Sequence, residues 1–565
     1  MTIPAESLHH GPFLARYRVW LFAFLVSFLT SFVLVTPFFW LGNASGHDFQ
    51  FHAQSWLDAA GQWKEGIIYP RWAEWANYGF GEPRFIFYPP FSWMLGAALS
   101  FVAPWNAVPA VFIVLVQTFA GLSAFALVRR LIPERDALFS AAVYAANPYA
   151  LLVIYMRSDF AEQLAIAFFP LLILAALQIG KIVETRLSAR FAILFFGVLF
   201  AAVWLSNAPA AVLATYSSAL LFAGAALAGK SWRPLAHGAA SLALGFGLAG
   251  FYLVPAVFEQ RWVNISQALA FGLPPSQNFL YTEIDDPEHT FFNWIASTLA
   301  VMLICLTGIA AIAARKKTSS GSSALKDSSW RSLLLLAAVA SFLMLRFTAI
   351  LWNLLPELRF VQFPWRWMSV LAVPFAIFLG AAMVRHRWIW LAIVFATIGG
   401  TGVFLVQNGW WDTEDIPVLR QAIASGTGFE GTDEYDPLGD DHTNVPMKAP
   451  DAALLSDNAV SGASASASIH IDVWTAEDKE LRVNLQAPAR LGLRLLDYPA
   501  WRVEVNGQAV VPEWGDDFSQ MIVPMPSGES RIRAHFTRTR DRWFGGLLSL
   551  LSGAAALFLM RRRIP

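Results

Sequence analysis

The feature that most constrains this chain is the recurrence, from Val19 to Arg387, of apolar runs of about twenty residues, each long enough to cross a bilayer. Backbone amides in hydrocarbon must be satisfied within their own segment, so such runs predict helices. They stop for a polar segment of about 135 residues, then return once before the end. Only 14% of the residues are charged, against roughly a quarter in soluble proteins, which excludes an ordinary soluble enzyme. Lys plus Arg and Asp plus Glu number 40 each, so no basic excess points to nucleic acid. The 24 Trp and 46 Phe fit aromatic belts at a membrane interface, and the partner implied is membrane lipid. The single cysteine, Cys305, lies in an apolar run and excludes both an internal disulfide framework and Cys-cluster metal motifs.

Arg16 and Arg18 precede the first run, Val19 to Leu41, which is too long for the core of a cleaved signal peptide and predicts a retained helix starting in the cytoplasm. The later basic turns are expected on that same side. They are Arg129, Arg130 and Arg135; Lys181, Arg186 and Arg190; Lys230 and Arg233; Arg315, Lys316, Lys317, Lys326 and Arg331; Arg385 and Arg387; and Arg561, Arg562 and Arg563. With about thirteen apolar stretches, parity requires that one between Tyr88 and Val128 fail to cross. The shorter, Tyr88 to Ala103, opens with Pro89 and Pro90 and is expected as a juxtamembrane or re-entrant helix. The fold predicted is a polytopic α-helical membrane protein of about twelve crossings in the cytoplasmic (inner) membrane, with both termini inside. Residues 1–406 form its transmembrane domain with an outer loop at 42–87, 407–541 an extracytoplasmic domain, and 542–565 a final helix with a basic tail.

The polar segment holds about 22 acidic and about 11 basic residues, the reverse of the membrane part, as suits a translocated domain. Residues 407–466, around GTGFEGTDEYDPLGDDH, lack a period and are expected as an ordered loop region or mobile lid. Residues 467–541 alternate through SIHIDVW, ELRVNLQA, RLGLRLLDY, WRVEVNG, SQMIVPMP and SRIRAHFT, with Asn506-Gly507 as a hairpin turn, and predict an antiparallel β-sandwich.

The first outer loop is dense in His, Asp, Trp, Tyr and Arg. Asp48, just beyond the first helix, can accept a proton from a hydroxyl as a general base, or can cap a helix starting at Phe49. His47, Asp48 and His52 also form a conceivable divalent-metal set, although the spacing matches no strong motif. Arg157, Asp159 and Glu162 crowd a short turn between apolar helices, where charges are costly unless paired or used. Glu259 and Arg261 end another helix, and Arg359, Gln362 and Arg366 begin one. The arginine fork suits phosphate, with Arg366 the leading candidate and Arg346, near the outer end of its helix, able to join the same anion pocket. Snorkelling at the interface is the plainer reading of each.

At these residues a resemblance becomes visible. GHDFQFHAQSW, GIIYPRW, GFGEPRFIFYPP, NPYALLVIYMRSDFAEQLAIAFFPL, GFYLVPAVFE, VQFPWRW and LLDYPAWRVEVNGQAV occur in order. Together they resemble the membrane proteins grouped as 6-pyruvoyl-tetrahydropterin synthase-related, which are in turn similar to GT-C membrane glycosyltransferases. By that resemblance the family's outer-loop acid falls on Asp48, its loop histidine on His52, its YPRW arginine on Arg71 and its FYPP tyrosine on Tyr88. Arg157, Glu162, Gln362 and Arg366 match further positions, with Glu259 closing GFYLVPAVFE. Two departures stand out: His47 replaces the second acid of many GT-C loops, and SNAP at Ser206 to Pro209 lacks a histidine expected after the serine.

The resemblance implies inverting transfer of a sugar from a polyprenyl-phosphate donor to an envelope polysaccharide, lipid or protein acceptor outside the cytoplasmic membrane. Asp48 would serve as base, Arg366 with Arg157 or Arg359 would bind the donor phosphate, no nucleotide site is needed, and a divalent metal stays open as a cofactor. The rival readings are a transporter or flippase of lipid-linked sugars, which would place charges deep in several helices, and a non-catalytic envelope scaffold.

Overall fold

The computed structural model of the protein describes residues 12–185, 187–315, 325–383, 387–438, 444–455, 468–515 and 518–561. Of the basic turns, Arg186, Lys316, Lys317, Arg385, Arg562 and Arg563 lie outside the described residues. Among those described, nine helices are long and apolar enough to cross a membrane, or eleven if each of two bent pairs is one span. Arg233–Leu248 turns by 75° at Ala249 into Gly250–Trp262. Asp327–Leu343 turns by 90° into Arg346–Leu354. The remaining member of the expected twelve is Ala189–Trp204, whose 16 residues extend only about 24 Å. In the stretch expected not to cross, the helix Pro90–Leu99 has ten residues, about half a hydrocarbon thickness.

The span Pro364–Ala382 is wholly enclosed, with Pro287–Arg315, Asp327–Leu343 and Glu134–Ala145 packed around it. Beyond Arg366 its residues to Ala382 carry no charge, as befits a helix with no face left for water. The last helix, Arg540–Arg561, is instead mostly open to lipid and packs on Gly250–Glu259. A Cβ on Gly545 would lie 2.5 Å from the Gly250 carbonyl, so the two backbones meet directly.

The β domain before the last helix, expected on the outer side, holds two antiparallel sheets. One runs Ala452–Leu455, Ala489–Leu496, Gln520–Met525, Glu513–Trp514; the other Ser468–Trp474, Asp478–Leu485, Gly528–Phe536, Trp501–Val505, Gln508–Val510. Along Trp501–Val505 alternate side chains are buried, as the sequence period requires. Asn506 and Gly507, with φ of +54° and +77°, form the hairpin turn that pairs Val505 with Gln508. Ala452–Leu455 brings a strand from the segment expected as a lid, and a second piece of that segment, Trp411–Asp412, pairs with Asn43–Ala44 of the first outer loop.

That outer loop is built into the domain. Trp72 lies 5.5 Å from Trp501 and 5.7 Å from Phe536, ring to ring, and Phe80, Ile86 and Phe87 join the same apolar core. Arg71 Nη2 meets Glu477 Oε2 at 2.6 Å, and the buried Lys479 Nζ meets Glu74 Oε1 at 3.0 Å. A third tie crosses to the last helix. Glu259, fully buried, accepts from Arg542 Nε and Nη2 at 2.7 Å each and from the Tyr498 hydroxyl at 2.6 Å.

Candidate active site

The first outer loop is fastened to the turn at residues 156–158. The Gly46 amide donates to Ser158 Oγ at 3.1 Å, and the Asp48 amide donates to the Arg157 carbonyl at 2.8 Å. No side chain fits at Gly46, where a Cβ would lie 2.2 Å from the Met156 carbonyl oxygen. The turn itself is irregular: the helix widens over Val153–Arg157 and Ser158 takes a left-handed φ of +54°. Asp48 thus stands before the helix Phe49–Lys64, but its side chain caps none of that helix's amides. Its Oδ2 instead meets Arg157 Nη2 at 2.6 Å.

Arg157 is the centre of a buried network. Its Nη2 also reaches Asp159 Oδ2 at 3.2 Å, and its Nη1 donates to Glu162 Oε2 at 2.9 Å. The same Glu162 oxygen accepts from Arg366 Nε at 3.2 Å, while Tyr149 donates to the other oxygen. Arg366 Nη1 donates to the Val361 carbonyl at 2.9 Å and to Gln362 Oε1 at 3.1 Å. Phe363 stacks between the two cations, 5.5 Å from Arg157 and 4.9 Å from Arg366. Asp159 caps Phe160–Ala167 through the Glu162 amide, and His52 Nε2 stands 3.5 Å from the same oxygen, Oδ1. Burial alone would push the Asp159 carboxyl up, but His52, Arg157 and Arg366 hold it well below the usual carboxylate range.

A cavity of about 660 Å³ opens above this network. Asp48, Tyr88, Arg157, Gln362 and Arg366 line it, as do Asp159, His47 and Asn207. Among the three acids of the network, exposure separates one from the others. The Asp48 side chain is 35% exposed, whereas those of Asp159 and Glu162 are 4% and 1%. His47 packs on Phe292 and Trp410, and burial lowers its pKa, with Asp48 opposing and Arg157 and His289 adding to the shift.

The roof is a strap at 428–437, within the segment expected as an ordered loop region or mobile lid. The Phe429 amide donates to the Trp75 carbonyl at 3.0 Å, the Thr432 amide to Glu82 Oε2 at 2.8 Å, and Asn77 Nδ2 to Asp436 Oδ1 at 3.2 Å. These bonds tie the strap to the outer loop and hold Glu430, Glu434 and Tyr435 over the cavity. Burial pushes the Glu434 carboxyl up to about 7, its own amide opposes this, and the charges of Glu82 and Asp433 reinforce it. His289, at the start of Pro287–Arg315, also lines the cavity and was not singled out. Its only sequence signal, a histidine among helix-starting acids, is too common to mark a site.

Several expected residues lie elsewhere. Arg359 is exposed with its guanidinium 4.8 Å from the Phe360 ring, so Phe360 and not Arg359 lines the cavity. Arg71 is taken by Glu477 and Glu259 by Arg542 and Tyr498, both at the seam with the outer domain. Arg346 is exposed and outside the cavity lining. His52 lies beneath the cavity, enclosed by Tyr88, Phe160 and Trp56. Because His47 and His52 turn to different neighbours, the conceivable metal set does not converge. Among the described residues no three His, Cys, Asp or Glu side chains gather as one.

The sequence pattern of a family described as "6-pyruvoyl-tetrahydropterin synthase related domain; membrane protein" matches residues 85–406. No curated protein matches the sequence. Among solved structures, a mutant form of the arabinofuranosyltransferase AftD from Mycobacteria superposes with a TM-score of 0.45 and 15% identity, over 68% of this chain and 28% of that one. The oligosaccharyltransferase AglB from Archaeoglobus fulgidus, bound to an inhibitory peptide and dolichol-phosphate, gives 0.39 and 15%, over 70% and 56%. ArnT from Cupriavidus metallidurans, bound to undecaprenyl phosphate, gives 0.30 and 15%, over 68% and 80%. This chain therefore spans little more than a quarter of AftD and about half of AglB.

Proposed function

The chain belongs to the 6-pyruvoyl-tetrahydropterin synthase related family of membrane proteins, and on that premise we propose that it is a glycosyltransferase moving a sugar from a polyprenyl-phosphate donor to an envelope acceptor. The carrying observation is one exposed carboxylate, Asp48, facing a cavity whose floor holds two buried arginines, Arg157 and Arg366. A single displacement needs a base at the acceptor and cations for the departing phosphate, and these side chains supply both. The motifs in order, from GHDFQFHAQSW to VQFPWRW, support the GT-C reading.

The pairings suggest an order of events. Glu162 holds the arginines from outside the cavity lining and Asp159, 4% exposed, from its edge, so an incoming phosphate meets Arg157 Nη2 chiefly in competition with the more exposed Asp48. Donor binding then releases the Asp48 carboxylate, which takes the proton of the acceptor hydroxyl as its oxygen attacks the anomeric carbon. The bond to the phosphate oxygen breaks, and the lipid phosphate leaves as an anion facing the arginines. Inversion follows from the single displacement.

Replacing Arg366 by Ala is expected to weaken polyprenyl-phosphate binding about ten- to hundredfold, the equivalent of one charged hydrogen bond. Lys should restore little, because one ammonium cannot meet Glu162, the Val361 carbonyl and phosphate together. Titration of the purified variants with undecaprenyl phosphate decides this, and unchanged affinity removes Arg366 from the donor site.

The proposed orientation puts the Asp48 cavity and residues 407–541 outside the cytoplasmic membrane. A cysteine at Gln508, exposed beside the hairpin turn, should react with a membrane-impermeant maleimide in intact cells, and one at Lys326 only after lysis. The opposite pattern overturns the orientation.

A further inference from the structure

The span Phe160–Ile179 leads from Asp159 across about 30 Å to the other end of the bundle, where two cavities of about 590 and 630 Å³ adjoin. They share Ile179, Lys181 and His237, with Arg233 and Arg331 lining the first and Arg130 the second. The two acids at this place are already engaged: Asp327 Oδ2 holds Arg331 at 2.7 Å and Glu184 Oε1 holds Lys326 at 2.9 Å. Among the described residues, the side chains of Arg130, Lys181 and Arg233 have no ion-pair or hydrogen-bond partner. The neighbouring sequence from 316 to 324, KKTSSGSSA, contains no acid that would supply one.

Arg130, Lys181 and Arg233, all exposed and from three separate turns, thus line one pair of adjoining cavities, where an anion gains from each of them. The walls identify its kind. Ile179, Ala225 and Leu335, from three different helices, give the first cavity an apolar side at the membrane edge, which a soluble anion would leave bare. The pairing of cavities identifies its valence, since each has its own arginine and Lys181 stands in both.

We infer that this end of the bundle binds a phospholipid with two phosphates, of the diphosphatidylglycerol type, one phosphate in each cavity and acyl chain against the apolar wall. Such a lipid is held where the bundle faces the leaflet away from the Asp48 cavity, and its binding needs no sugar transfer.

The test uses the full-length protein purified in neutral detergent, with bound lipid counted by native mass spectrometry. Diphosphatidylglycerol should be retained well above phosphatidylglycerol, and phosphatidylglycerol above phosphatidylcholine. The double variant Lys181→Gln/Arg233→Gln should bind diphosphatidylglycerol roughly thirtyfold more weakly, two surface charges having been lost. Its lipid-free melting temperature should match that of the unaltered chain, and Lys181→Arg should retain binding. Equal retention of diphosphatidylglycerol and phosphatidylcholine, or unchanged affinity in the double variant, overturns the inference. Full displacement by inorganic pyrophosphate would assign the site to a soluble anion and overturns it equally.

Discussion

Asp48→Asn is expected to lower sugar transfer by about a hundred- to ten-thousandfold, the usual loss when a positioned base is removed. It should leave the protein folded. The Asp48 side chain caps no helix amide, and its pair with Arg157 is partly exposed, so Asn should cost about 1 kcal/mol or less. Transfer is read by incubating membranes carrying either protein with lipid-linked sugar donors and following glycan mass, while melting in detergent reports folding. Normal turnover in the variant would move the base elsewhere. The alternatives would then be Glu430 and Glu434, whose carboxylates lie on the strap over the cavity, and not Glu162 or Glu259, whose oxygens are consumed by arginines.

Glu162→Ala should fail for the opposite reason. Its carboxylate neutralises Arg157 and Arg366 from a position that is 1% exposed, so its removal leaves two buried guanidiniums to share Asp159, with the partly exposed Asp48 on Arg157 alone. Breaking a buried pair on one side costs about 3–5 kcal/mol, a large part of the 5–15 kcal/mol that typically separates folded from unfolded protein. Melting of the purified variant should fall sharply, with little folded protein recovered. Glu162→Gln, which keeps an oxygen for the arginines and Tyr149, should lose less. Wild-type stability in the Ala variant would show that the network does not depend on its central acid.

These contrasting acids mark how far the sequence could be read. Charged residues in a turn as short as Arg157 to Glu162 are visible in the sequence, and a cost at the membrane edge follows from their type alone. Which acid faces the cavity is not visible, because it depends on the widened helix at Val153–Arg157 and the left-handed Ser158 that re-aim the turn. Arg359 and Arg366 look alike in sequence. They differ because Gln362, at φ +64°, swings the chain so that one guanidinium lies outside over Phe360 and the other points inward. Glu259 resembled a site residue for want of its partner, which stands 283 positions later at Arg542.

In the outer domain, strands with strict alternation, such as Trp501–Val505, could be read directly. Ala452–Leu455 has no alternation and acquires strand geometry only by pairing with Ala489–Leu496. The strap carrying Glu430 and Glu434 has no period at all, since its order comes from bonds to Trp75, Asn77 and Glu82. Transmembrane segments were the most legible because length and apolarity suffice for them; the bent pairs and the short Ala189–Trp204 are where that rule becomes ambiguous.

The tie between Glu259 and Arg542 also bears on biogenesis. During synthesis, Glu259 leaves the ribosome 283 residues before its arginine, an interval of roughly 15–60 s at ordinary elongation rates. Throughout that time the growing bundle carries a carboxylate at the membrane edge with no cation to meet it. Maturation is therefore deferred until the β domain and the last helix have been made, whereupon one side chain joins both to the earlier spans. A chain ending before Arg542 would leave that acid without its arginine.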